Sequence, residues 1–296
     1  MDSIPVYHEI NDLHRLTGSE LRTSNPLFHC FNMADSNDLK VNEVAPHRAS
    51  FYTLALNFGT QSLSYTLNGS QFHHPRNFIL CTAPGHVAEW KKQGNWFGYC
   101  TFFKSEFLLL DDQVNFLQQY PFFTINESNL LPVDASVFSD LEQLFERIIT
   151  EQNFVDPFST EIIRSYFQAI LWQVRRVYEK IHPTPSPQAG AAIAARFQWL
   201  VNDRFLRNTS VGDYAKLLHI SPNHLSQTIK QNTGQTAKSI INERRLREAQ
   251  YLLAYTRNSI ADISHHLGFS EPTHFTKFFK KHTKQAPLTY RQHTRR

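Results

Sequence analysis

The chain has 296 residues, of which 41% are hydrophobic and 19% charged, enough for about two domains of ~150 residues with packed cores. That composition excludes a disordered or low-complexity protein. No window approaches the ~18 uninterrupted apolar residues of a membrane span, the first residues lack the basic and apolar regions of a secretory signal, and Cys30, Cys81 and Cys100 are scattered as in a reducing compartment, so a cytoplasmic location is expected.

Taken in chain order, residues 27–105 read as strands. Residues 51–58 are aromatic and aliphatic, and Leu63, Tyr65 and Leu67 then alternate with Ser62, Ser64 and Thr66 before an Asn68-Gly69 turn, the pattern of a hairpin. Residues 78–81 and 96–103 repeat the strand signal, so the spacing predicts an antiparallel sandwich or small barrel. Apolar residues at helical spacing follow: Val137, Leu141, Leu144, Phe145, Ile148 and Ile149, then a longer stripe from Ile162 to Ile181, with Asp156-Pro157 between them and Ser159 as an expected N-cap. The longer stripe is wider than one barrel wall requires and could pack on the sheet or on a second subunit. The alternating prolines of residues 182–190 cannot continue a helix and read as an extended linker. The expected domains are therefore 1–181, a linker at 182–190, and 191–296.

The formal net charge of +4 is split across that boundary. Residues 1–190 carry a net −7 and residues 191–296 a net +11, which points to a polyanionic partner for the C-terminal part. Residues 191–296 read as helical throughout and contain two similar units, at about 210–231 and 259–282. Each opens with cap residues (Ser210; Asn258 or Ser259) and a short amphipathic helix. A tight turn, a second cap (Ser221, Ser270) and a proline in the next first turn (Pro222, Pro272) follow. The second helices then show apolar faces, with Leu225 and Ile229 in one and Phe275, Phe278 and Phe279 in the other. This is the pattern of a helix-turn-helix, whose second helix enters a DNA major groove. Between the units, Ala237 to Tyr255 reads as one connecting helix, with Lys238, Arg244, Arg245 and Arg247 expected on or beside its exposed face.

Ile260-Ala261-Asp262-Ile263, Gly268-Phe269, Phe275, Phe278-Phe279-Lys280-Lys281, Pro287 and Tyr290-Arg291 resemble the signature of AraC/XylS-type transcription regulators over about 100 C-terminal residues. One departure is Lys284, where that family usually has glycine. The resemblance implies an α+β multidomain protein: an N-terminal cupin-like antiparallel β-barrel followed by dimerisation helices, and a C-terminal all-α domain with two helix-turn-helix units. His47-Arg48-Ala49-Ser50-Phe51-Tyr52 is similar to the entry strand of such sensors, and Pro84-Gly85-His86-Val87-Ala88-Glu89-Trp90 to their proline-glycine turn, with Glu89 where a histidine is usual.

These patterns nominate residues. Asn223, Ser226, Gln227, Thr273 and Lys277 are candidates for base edges, since Asn and Gln pair with adenine, Lys with guanine, and Ser or Thr with several partners. Lys230, Arg245, Lys280 and Lys281 are candidates for phosphates. His47, Arg48, Tyr52, His86 and Trp90 are candidates for a small polar or anionic effector, with Arg48 as a planar fork for carboxylate or phosphate. The expected partners are duplex DNA, an effector, a second copy of the chain and, as a further candidate, RNA polymerase. No cofactor and no catalytic residue is expected. A metal-dependent cupin-type enzyme is the alternative, from His47, His73, His74, His86 and Glu89, but His47 is followed by Arg48 rather than completing a ligand triad. A DNA-bridging dimer without effector is a third reading.

Overall fold

The computed structural model describes residues 4–36, 43–58, 63–67, 70–72, 77–92, 97–108, 119–124, 129–154, 156–182, 190–207 and 210–294. The Asn68-Gly69 turn, His73, His74 and most of the proline-rich linker lie outside the described residues. The chain divides into two compact units, one of Val6–Pro185 and one holding Ser186–Arg296.

Among the described residues of the first unit, ten strands form two five-stranded sheets. One has the order β1 (Val6–Tyr7), β3 (Glu43–Ala49), β8 (Ala88–Lys92), β5 (Leu63–Leu67), β6 (Ser70–Phe72). The other runs β10 (Leu130–Pro132), β7 (Asn77–Thr82), β4 (Tyr52–Phe58), β9 (Gly98–Phe103), β2 (Phe28–Asn32). The sheets of the expected antiparallel sandwich or cupin-like barrel are not closed on one another among the described residues. Among the described residues no strand pairing joins the two sheets, and β1 adds to β3 in parallel. A short helix that the sequence reading did not anticipate, α1 (Ile10–Leu16), contributes Ile10 and Leu13 to the core between the sheets, with Val44, Phe51, Leu80, Trp90 and Phe102.

Strand β4 is buried on both faces, which explains why apolar residues on it do not simply alternate with polar ones. Thr53, Ala55 and Asn57 point to the inter-sheet space; Tyr52, Leu54 and Leu56 alternate to the other side. There the sheet is covered by α2 (Ala135–Glu151) and α3 (Ser159–Ile181), with Tyr99 stacked on Phe145 at 5.4 Å and Phe167 edge-on to Phe103 at 4.8 Å. The long stripe of α3 is therefore mostly used inside the subunit, because Ile163, Phe167, Ile170, Leu171, Val174 and Val177 are all buried. Phe158, Ile162 and Trp172 stay exposed. Ser159 is not the cap of α3: it is the first helical residue, and the Asp156 carboxylate accepts from the Phe158 and Ser159 N–H groups.

The second unit is helical: α4 (Ala191–Arg204), α5 (Val211–Leu217), α6 (Pro222–Thr233), α7 (Ala237–Tyr255), α8 (Ile260–His266), α9 (Pro272–Thr283) and α10 (Pro287–Thr294). Ser210 and Ser259 each close a reciprocal capping box, with Asp213 and Asp262, at 3.0–3.2 Å. Two apolar cores share α7. Ile240 and Ile241 join α4, α5 and α6 in one, whereas Ala249, Leu252 and Leu253 join Phe205, α8 and α9 in the other. Lys284 keeps the turn that glycine would make. Its φ of 64° and ψ of 2° match the φ of 70° and ψ of −11° at Gly234, which ends α6 in the same way. Lysine there bears the cost of the left-handed conformation, about 1–2 kcal/mol.

Candidate functional site

Helices α6 and α9 have the same division of faces. Leu225 and Ile229 in α6, and Phe275 and Phe279 in α9, face their cores at 0% exposure. The opposite faces expose Asn223, Ser226, Gln227 and Lys230 in α6, and Thr273, Lys277, Lys280 and Lys281 in α9. Each set is thus brought to one outward helix face. The Ser226 hydroxyl donates to the Pro222 carbonyl at 2.8 Å, which leaves its oxygen able to accept. Lys230 Nζ donates to the Gly234 carbonyl at 2.6 Å, with two further N–H donors on the same ammonium.

Two candidates were missed. His224 and His274 occupy the same place in α6 and α9, each two residues after the proline, and both are exposed. The repeated Pro-x-His was the available signal.

Three expectations fail in this unit. Arg245 is only 7% exposed, so its head group is not offered to a phosphate. It donates from Nη2 to the Leu267 carbonyl at 2.6 Å and lies 4.1 Å over the Phe269 ring. Arg244 is likewise buried rather than on the exposed face, over Phe205 at 3.8 Å and bonded to Glu248 at 3.1 Å. Ser270 is not a cap, since Glu271 occupies that position and makes no side-chain cap bond.

In the first unit the two sheets and α1 line a cavity of about 120 Å³. Of the effector candidates, His47, His86 and Trp90 line it and Tyr52 and Arg48 do not. Strand alternation explains both. His47 and Ala49 point inward, so Arg48 between them points away and donates to the Gly85 carbonyl at 3.3 Å. Tyr52 falls on the helix side of β4 and stacks on Phe103 at 5.3 Å. Glu89 is flanked by cavity-lining Ala88 and Trp90 and is itself outside the lining.

The cavity wall also holds His14, Asn57, Thr53 and Thr82, and among the described residues no Asp, Glu, Lys or Arg lines it. His14 Nε2 and His29 Nδ1 are 2.8 Å apart in a buried hydrogen bond. Burial, with the neighbouring His29 and Arg22 charges, pushes His14 down to about 3, and burial pushes His29 down to about 4. Burial also lowers His47, against its bond to the Ala45 carbonyl. His14 and His29 are therefore neutral at physiological pH. Among the described residues no group of three or more His, Cys, Asp or Glu side chains is placed to hold a metal ion. No helix among them is long and apolar enough to cross a membrane.

The helix-turn-helix domain family matches residues 214–293. Over 162 residues the chain is 27% identical to the HTH-type transcriptional activator RhaS of Escherichia coli O157:H7 (strain EC4115 / EHEC), covering 54% of this chain and 56% of that protein. It is 27% identical over 132 residues to the lactose operon transcription activator of Staphylococcus xylosus, covering 45% of this chain and 47% of that one. The part of the chain that matches is therefore a helix-turn-helix domain. A solved structure of an AraC-type transcriptional regulator from Chromobacterium violaceum is 27% identical to it, covering 36% of this chain and 96% of that one, with a TM-score of 0.33. The chain spans about half the length of the curated relatives it matches. Those relatives are named as transcription activators, not enzymes. Within the matched helix-turn-helix domain Arg291 turns inward, donating to the Asn258 carbonyl at 2.7 Å and the Leu253 carbonyl at 3.3 Å.

Proposed function

We propose that the chain is a sequence-specific DNA-binding transcription regulator controlled by a small molecule in its N-terminal unit. The observation that carries the DNA reading is the pair of second helices, each with a buried apolar face and an outward polar or basic face, in a part of the chain at +11. Such a helix fits a major groove, with phosphates held by lysines at its flanks. Gln227 and Lys280 should then behave differently. Gln227→Ala is expected to cost about 1–3 kcal/mol at one base position and to spare non-specific binding, whereas Lys280→Ala should weaken all duplexes alike and make the salt dependence shallower by about one ion. Titrations of the full chain against matched duplexes check this; equal loss on every sequence would remove Gln227 from base reading.

The cavity suits an uncharged ligand rather than the anionic one expected from Arg48. Its polar groups are imidazoles, with His14 held neutral and His47 lowered by burial, hydroxyls and one amide, set among Leu13, Met33, Phe102 and Trp90. An anion buried there would lack a cation to pair with, at a cost of several kcal/mol. Of three small aromatic probes, benzyl alcohol is expected to raise the melting temperature of the chain, and benzoate and benzylamine are not. Ala55→Trp, which fills the cavity, should abolish the response. A stronger response to benzoate would overturn the assignment of ligand charge. Such a ligand can bias DNA binding only through different affinities for two arrangements of the chain. Exposed Phe158, Ile162 and Trp172 support pairing of two subunits through α3, which would read a repeated DNA site.

A further inference from the structure

Arg245 sits where the two cores of the helical unit divide α7. Ile241, one turn before it, belongs to the first core, and Ala249, one turn after, to the second. A guanidinium this buried costs several kcal/mol unless its donors and its face are satisfied. The second helix-turn-helix meets part of that cost: the Leu267 carbonyl accepts from Nη2 at 2.6 Å, and Phe269 and Phe278 lie under the charge at 4.1 and 5.8 Å, while Nε finds no hydrogen-bond partner among the described residues. Leu267 and Phe269 belong to the turn, and Phe278 to α9 itself. Toward the first helix-turn-helix, the Arg245 charge is felt by Tyr214 of α5.

The two turns are not built alike. Four residues (218–221) separate α5 from α6, and Ser221 closes that turn by accepting from the His224 N–H at 3.2 Å. Five residues (267–271) separate α8 from α9, and Glu271 at the cap position makes no such bond. The longer turn lacks its own side-chain cap and has instead the bond from Arg245.

We propose that Arg245 is a positioning residue that sets the second reading helix relative to the first, by clamping the α8–α9 turn to the helix that both cores share. This rests on the DNA-binding reading above. It separates Arg245 from the phosphate contacts with which its charge first grouped it, and it assigns the spacing of the two half-sites to a residue that touches no DNA.

The test uses the full chain and duplexes that the wild type selects from a random pool. A Lys277→Ala control identifies the half-site read by α9. Arg245→Met, which keeps a long buried stem, is expected to bind the selected duplex at least 10-fold more weakly. It should lose discrimination at the α9 half-site alone and tolerate one or two inserted base pairs between half-sites that the wild type rejects. Its salt dependence should be that of the wild type. Arg245→Lys, whose ammonium can reach the Leu267 carbonyl, should recover part of the spacing preference. A shallower salt dependence with uniform loss across sequences would return Arg245 to the phosphates and overturn the proposal. So would a lower melting temperature and active fraction with half-site discrimination and spacing preference intact, or unchanged binding. A wild-type chain that binds no duplex would overturn the DNA-binding reading and this inference together.

Discussion

Lowering the pH from 7 to 5 is expected to remove about 4 kcal/mol from the stability of the Val6–Pro185 unit. The cause is the hydrogen-bonded pair of His14 and His29, held at about 3 and about 4 by burial. In the unfolded chain each imidazole titrates near ~6.5. Both folded values are depressed, so the unfolded state takes up protons that the folded state refuses. Stability is therefore undiminished above about pH 6.5, falls as the pH drops below it, and stops falling only near pH 3–4, where the folded pair also protonates. At pH 5 each ring lies about 1.5 units below its unfolded value, about 2 kcal/mol apiece at 1.36 kcal/mol per unit. Urea titrations of the full chain at pH 7 and pH 5 check this. The double variant His14→Gln, His29→Gln should flatten the dependence. A stability independent of pH over this range would show that the pair is not held neutral by the fold.

Gly98→Ala is expected to destabilise the same unit by about 4 kcal/mol. Gly98 starts β9 opposite Asn57 of β4, with φ at +129°, a region that side chains rarely enter. A Cβ there would lie 1.9 Å from the Leu56 carbonyl oxygen. Backbone strain of about 1–3 kcal/mol and a displacement cost of about 1–3 kcal/mol combine. Moving β9 off β4 would disturb the cavity wall at Asn57 and the stack of Tyr99 on Phe145 together. At about 2–4 °C per kcal/mol for a unit of this size, the melting temperature should fall by about 8–16 °C. A shift within about 2 °C would mean that the strand ends there can move apart at little cost.

The helical half was legible in the sequence because its signals are local. Caps, prolines and apolar spacing lie within a few residues of what they specify, and α7 runs from Ala237 to Tyr255, as its spacing predicts. Arg245 was misplaced because its charge was weighed above its position. Ile241, Arg245, Ala249 and Leu252 recur at spacings of four, four and three, and that period alone assigns Arg245 to the buried stripe. In the N-terminal half alternation located the strands, yet not which face of β4 would meet helices and which the cavity, so Tyr52 and Arg48 were grouped with His47 by proximity in sequence. The cavity wall is assembled from α1, β2, β3, β4, β5, β7, β8 and β9, and contacts so distant along the chain leave no short motif. His14 and His29 carried no signal at all until the fold brought them to 2.8 Å.

In the proposed function, α6 and α9 read two adjacent segments of duplex DNA. Selection of duplexes from a random library by the full chain, at two salt concentrations, tests it most directly. Two short conserved segments should emerge with centres about one helical turn (~34 Å) apart, appearing twice in the site if subunits pair, with affinity falling steeply as salt rises. Recovery of no enriched sequence, or of a single segment with binding indifferent to salt, would contradict it.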